Sequence, residues 1–259
     1  MTSTATASLL PQVAPAPPRN RVQWGRARTA LRSLVADPER TEQVFELIDA
    51  LAGESGEHHF QRFLRHPNAP RLLAEKPDLL AALSARHLLR ALPEGSLGRV
   101  YAAFMSDQDL SADGLVEASE DVERQREAAI DPDRDWFYTR LRDMHDLWHV
   151  LTDYGRDLAG EAANLAFTYA QTRNRGIGAI VGAAALLGPK SIDCHWQRYL
   201  LRAWRRGRRA QLLAAAPYEE LLPLPLHEAR ERLGIDAPEL AHPGGIIVAN
   251  DPAEVATAA

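Results

Sequence analysis

The chain has one cysteine, Cys194, in 259 residues. An internal disulfide framework is therefore excluded, and the composition suits a reducing compartment. Lysine is almost absent: of 30 basic residues, only Lys76 and Lys190 are lysines. That bias, with abundant alanine, points to a GC-rich bacterial genome. No apolar run is long enough to span a bilayer. No segment alternates apolar and polar residues with period two over a convincing length, which argues against a sheet-based fold. Ile246-Ile247-Val248 could form a short edge strand, but no partner strand is evident. The net charge of -5 argues against a general nucleic-acid binder. There is no internal repeat.

What remains is helical. Thr41 to Ala52 places Val44, Phe45, Ile48 and Leu51 on one helical face. The pattern continues from Leu72 to Leu92 through Leu79, Leu80, Leu83, Leu88 and Leu89, and Ser96 to Met105 reads as a further helix. Pro67, Pro70, Pro77 and Pro93 mark boundaries. The stretch up to Pro18 has no acidic residue and lacks a secretory signal. Arg19, Arg21, Arg26, Arg28 and Arg32 follow it around Trp24. The expected architecture is all-α, one helical bundle over 21–237, with a disordered tail at 1–20 and an arm or disordered tail at 238–259.

Within this bundle, His145-Asp146-Leu147-Trp148-His149 carries the chemistry. Helical geometry puts His145 and His149 roughly 40° apart on one face, with Asp146 at its edge. Glu161 lies twelve residues beyond His149, a rise of about 18 Å on a straight helix, too far to join them. It joins them if the chain reverses, and Thr152-Asp153-Tyr154-Gly155-Arg156-Asp157 has the composition of such a turn. A second helix opening near Leu158 would present Glu161 in its first turn. The result is a 2-His, 2-carboxylate metal site on a helix hairpin. A zincin-type hydrolase has Glu at the second motif position. Asp146 stands there, which disfavours that reading.

This segment resembles the HDxxH-x11-E signature of the coenzyme Q (ubiquinone) biosynthesis protein 4 family. Leu92-Pro93-Glu94-Gly95-Ser96-Leu97-Gly98, continuing to Tyr101 and Phe104, is similar to that family's LP-x-G-T/S-x-G-x-x-Y-x-x-F segment. Tyr138 to Asp143 is similar to its basic run, Gln171-Thr172 to its QT pair, and Arg230-x-x-Leu233-Gly234-Ile235 to its closing LR-x-x-LGI. The resemblance covers about Glu42 to Ile235. It departs at Leu165 and Thr168, where well-known members carry Lys and Glu. It departs again at Pro217-Tyr218-Glu219-Glu220-Leu221, which replaces an aromatic-rich segment. A divergent bacterial branch is implied. So is zinc binding, with Fe(II) as the alternative if the reaction is oxidative. The implied step replaces the carboxyl on ring carbon one of a prenylated hydroxybenzoate by hydroxyl. The alternative is a non-catalytic prenyl-lipid-binding scaffold for other quinone-biosynthesis proteins. The implied place is the bacterial cytoplasm, on the inner face of the cytoplasmic membrane, with a homodimer as a further expected assembly.

Two further stretches bear on the ligand. Gly176 to Gly188 is uncharged and rich in small residues. It reads as a central core helix, as a wall of a tunnel for an isoprenoid tail with Ile180, Ala183, Ala184 and Leu187 as contacts, or as a helix that dips into the membrane surface. Tyr199 to Arg209 carries Arg202, Arg205, Arg206, Arg208 and Arg209, with Arg198 just before them, around Trp204. This is either a solvated face or a surface for anionic lipid headgroups. Arg142, three residues before His145, is either a bidentate clamp on a substrate carboxylate or a salt-bridge partner of Asp143.

Overall fold

The computed structural model describes residues 20–36, 41–107, 131–187 and 196–236, and these residues are all-α. The helices are α1 (Trp24–Ala36), α2 (Thr41–Ala52), α3 (Ser55–Leu64), α4 (Ala69–Glu75), α5 (Leu79–Ser84), α6 (Arg86–Ala91) and α7 (Leu97–Asp107). They continue as α8 (Pro132–Asp143), α9 (His145–Thr152), α10 (Leu158–Thr172), α11 (Arg175–Leu187), α12 (Trp196–Arg209), α13 (Tyr218–Leu221) and α14 (Leu226–Leu233). A 3-10 turn spans Leu213–Ala215. Among the described residues the only β pairing is one isolated bridge, Ser96 with Pro225. Of the expected tail segments 1–20 and 238–259, all but residue 20 lie outside the described residues, Ile246 to Val248 included.

The apolar run from Leu72 to Leu92 is three short helices. Lys76 takes a left-handed conformation, φ 42°, before Pro77. A proline ring clashes with a right-handed helical residue before it, so α4 ends there. Asp78 then caps α5, accepting from Ala81 N at 2.9 Å. Ala85, at ψ 56°, separates α5 from α6, a break without proline or glycine to announce it.

The largest core cluster surrounds α9, where every residue from Asp146 to Thr152 is buried. Burying Leu147, Trp148, Val150 and Leu151 contributes roughly 1.5–3 kcal/mol each. Trp148 Nε1 also donates to Tyr218 Oη at 2.9 Å. α10 and α12 pack backbone to backbone: a Cβ on Gly207 would stand 2.6 Å from the Phe167 carbonyl oxygen. Gln171 of the QT pair fastens this junction. Its Nε2 donates to Gly207 O at 2.6 Å and its Oε1 accepts from Leu213 N at 3.0 Å.

A second cluster stacks Phe60, Phe63 and Phe137. His59 meets Phe137 edge-on at 5.3 Å, is 2 % exposed, and its Nε2 has no hydrogen-bond partner. Burial, helped by the Arg62 charge, pushes its pKa down to about 3. Above pH 6.5 the ring is neutral whether the chain is folded or not. Below that, the unfolded chain binds a proton that the folded chain refuses, so stability falls with pH down to about 3. The loss at pH 5 relative to pH 7 should be about 2 kcal/mol. In urea titrations at both pH values, His59→Leu should remove that part of the difference. An unchanged acid slope would show that His59 is not its source.

Candidate metal centre

The centre is built by two helices and the turn between them. α8 runs almost without interruption into α9, with Met144 N on Arg140 O at 3.1 Å and Trp148 N on Met144 O at 3.0 Å. α9 stops at Asp153, which adopts φ 60° and sends its N–H to His149 O at 2.8 Å. Aspartate tolerates this left-handed cap better than most residues. Asp157 then caps α10, accepting from Ala159 N and Gly160 N, both at 3.0 Å. Gly160 is sterically required, because a Cβ there would lie 2.1 Å from Gly155 O. This contact sets the first turn of α10 against the turn and brings Glu161 back to α9. The reversal at 152–157 and the placement of Glu161 are those expected from the sequence.

The side chains converge. One ligand atom from each of His145, Asp146 and His149 lies within 4.8 Å of the others. Glu161 Oε2 is 3.5 Å from His149 Nε2. Two donors about 2.1 Å from one tetrahedral ion stand about 3.4 Å apart, so this separation suits ligands of one metal. His149 Nδ1 lies 2.9 Å from Tyr154 O, an acceptor, which fixes the proton on Nδ1 and the lone pair on Nε2. That Nε2 is buried and makes no hydrogen bond. A buried ring nitrogen held in this tautomer, facing a carboxylate at ion-pair distance, is a metal ligand's arrangement. His145 Nδ1 is 3.2 Å from Asp146 Oδ1.

The charges agree. Burial opposes ionisation of Asp146, but the hydrogen bond and charge of His145 with the charge of Arg156 outweigh it, and its pKa is lowered. Burial opposes ionisation of Glu161 as well, but its approach to His149 and the charges of His145 and Arg156 outweigh it, and its pKa is lowered. Both carboxylates are therefore anionic. For His145 burial opposes protonation, but Asp146 and Glu161 prevail and its pKa is raised.

The structure places Arg142 with Asp143 and brings a different arginine to the centre. Arg142 turns to its neighbour Asp143, with Nε at 3.0 Å and Nη2 at 2.9 Å from Oδ1. The guanidinium at the centre is that of Arg156, from the turn, 3.7 Å from Asp146 Oδ1 and 3.8 Å from Glu161 Oε1. Phe104 of α7 stacks on His149, with centroids 6.0 Å apart and planes at 18°.

α11 lies along α2, α10 and α12, and its far half meets the surface. Gly182, Ala183 and Leu186 are exposed, Leu186 by 86 %, so the central-core reading of this helix does not hold. Ile180 packs at the α1–α2 cluster and Ala184 at the main core. The side chain of Leu187 lies outside the described residues. On α12, Arg198, Arg205, Arg208 and Arg209 are exposed, whereas Arg206 is 3 % exposed and donates to Thr152 O and Asp236 O.

Arg230, from the Arg230-x-x-Leu233-Gly234-Ile235 segment, supports α9 from outside the hairpin. Its Nε donates to Leu151 O at 2.8 Å and its Nη2 to Val150 O at 3.0 Å. These are carbonyls of the last turn of α9, where a helix has no acceptors' partners of its own and favours a cation. Arg230→Ala should destabilise the fold by about 1–2 kcal/mol and weaken metal binding roughly tenfold, with Arg230→Lys intermediate. Urea melts and competition with a chelator would measure both. Unchanged values would remove Arg230 from the support of α9.

Known proteins match the chain over this same frame. The family model for coenzyme Q (ubiquinone) biosynthesis protein Coq4 matches residues 23–239. A mitochondrial ubiquinone biosynthesis protein COQ4 from Paracoccidioides brasiliensis is 27% identical over 213 residues, covering 81% of this chain and 71% of that one. Its counterpart in Talaromyces stipitatus is 30% identical over 200 residues, 74% of this chain and 66% of that one. A crystal structure of a proposed ubiquinone biosynthesis protein from Nostoc punctiforme shares the fold, with TM-score 0.59 and 22% identity over 84% of this chain and all of that one. With the family model spanning the whole hairpin and its supports, the chain belongs to the coenzyme Q (ubiquinone) biosynthesis protein Coq4 family.

Proposed function

We propose that this chain acts in ubiquinone biosynthesis through a single divalent metal held by His145, Asp146, His149 and Glu161. Its substrate would be the polar head of a prenylated hydroxybenzoate-derived intermediate. The observation that carries this reading is His149, its Nδ1 locked on Tyr154 O and its buried Nε2 facing Glu161. Imidazole and carboxylate donors suit zinc, and also Fe(II). When bound, such an ion supplies a Lewis acid for a carboxylate or phenolate oxygen and, if iron, a route for electrons.

The protein's own groups set up the rest. Two anionic ligands offset the metal's charge, and Arg156 adds a cation at their edge, suited to a substrate carboxylate. Arg142 holds Asp143 at the end of α8. The buried wall of α9 and the Phe104 ring exclude water on one side. In the full reaction the ring loses carbon dioxide and gains hydroxyl at one carbon. With water as oxygen source this releases two protons and two electrons, so an electron acceptor is required. Without an acceptor the same site serves a scaffold that binds and presents the intermediate.

Among the described residues no helix is long and apolar enough to cross a membrane. The exposed Leu186 and Leu201 and the exposed arginines of α12 fit a membrane surface, where the exposed Ala183 would meet the prenyl tail, with Ile180 and Ala184 behind it. Other quinone-biosynthesis proteins and a second copy of the chain are the expected partners. Deleting the gene in its host should lower ubiquinone and accumulate an intermediate still carrying its carboxyl group. Normal quinone in the deletion strain would refute the assignment.

A further inference from the structure

The face of α10 that begins with Glu161 continues with polar groups that metal binding leaves unused. At 100° per residue, Asn164 stands about 60° and Thr168 about 20° from Glu161, one and two turns along the helix. Asn164 is 1 % exposed, and neither its Nδ2 nor its Oδ1 has a hydrogen-bond partner. Thr168 Oγ1 is buried and also without one. Helical threonines commonly return their hydroxyl to the carbonyl four residues back. Thr172 does so, to Thr168 O at 2.9 Å, and Thr152 does so to Trp148 O at 2.6 Å. Thr168 does not.

Buried amides left unpaired are costly, and few occur in a folded protein. The surroundings of Asn164 on α10 are apolar: Ala163, Ala166 and Phe167 are all fully buried. A leucine would sit among them without the penalty. A ligand running from the metal along α10 would pass Asn164 first and Thr168 next. A primary amide both donates and accepts, and so does a hydroxyl. One ring hydroxyl can therefore satisfy both atoms of Asn164, which a ring C–H cannot.

We infer that Asn164, with Thr168 beyond it, is a specificity-determining residue that hydrogen-bonds a ring hydroxyl of the aromatic carboxylate held at the metal centre. The inference rests on the function proposed above, and its test separates the two. Zinc-loaded protein is titrated calorimetrically with benzoate, 3-hydroxybenzoate and 4-hydroxybenzoate. The parent should bind at least one hydroxybenzoate about tenfold more tightly than benzoate. Asn164→Leu should reduce that advantage below about twofold, with zinc content and benzoate affinity unchanged and Tm no lower. Asn164→Ala gives the same reading if the leucine variant fails to fold. An advantage that survives in either variant overturns the inference, as does a parent that binds benzoate equally well. A marked fall in Tm with both Asn164→Leu and Asn164→Ala would make the amide structural and overturn it too. A zinc-loaded parent that binds none of the three compounds would instead refute the proposed function, and the inference with it.

Discussion

His149→Ala is expected to weaken metal binding at least a hundredfold while the helical fold persists. Loss of a group that merely orients a ligand costs 10- to 100-fold, and His149 is placed as a ligand itself. Its Nδ1 is held by Tyr154 O and its Nε2 makes no other hydrogen bond. Truncation opens a cavity beside Phe104 and leaves Tyr154 O without that donor, so a moderate loss of stability, about 2–3 kcal/mol, accompanies it. Chelator competition reads the affinity, and circular dichroism reads the fold. Affinity within threefold of the parent would remove His149 from the ligand set.

Arg140→Ala should have the largest effect on stability, about 3 kcal/mol. The Arg140 guanidinium is almost fully buried and grips Glu219 with two bonds, Nη1 to Oε1 at 2.6 Å and Nη2 to Oε2 at 2.9 Å. Nη2 also donates to Ala216 O at 3.2 Å, and the Trp136 ring lies 5.4 Å away. Removing the cation strands a carboxylate and a carbonyl. Because the Glu219 side chain is 28% exposed, water offsets part of the loss, which keeps the figure at the low end for a broken buried pair. The melting temperature should fall by roughly 6–12 °C. Arg140→Lys should recover little, since an ammonium cannot make the paired contact. The exposed pair of Arg71 with Glu220 is the control: Arg71→Ala should leave the melt unchanged. A shift under 2 °C for Arg140→Ala would show that the pair adds nothing.

The hairpin was legible because its signals are local. Two histidines four apart, a polar turn with glycine, and a glutamate just inside the next helix fix the reversal within seventeen residues. Arg156 lies inside that window, and the turn's only basic residue was available as a clue. Arg142 falls near the ligand face on a helical wheel, and of its two readings the salt bridge with Asp143 is the contact that forms. Arg230 could not be placed from sequence, since its bond to Leu151 O crosses 79 positions. Nor could Arg206 be told from the other arginines of α12, because its partners, Thr152 O and Asp236 O, are distant in sequence. The uncharged stretch on α11 misled for a related reason. Alanine and glycine are as compatible with a surface as with a core, and Leu186 is exposed despite its apolar neighbours. Asn164 carried no sequence signal at all.

The most direct test of the metal centre's role is complementation of the deletion strain with Glu161→Ala. Glu161 is 31% exposed in its side chain, so its truncation should leave the fold intact, and immunoblotting would establish equal protein levels. The account predicts that the parent gene restores ubiquinone and that Glu161→Ala does not, with the carboxylated intermediate persisting. Full restoration of ubiquinone by Glu161→Ala at equal protein level would contradict it.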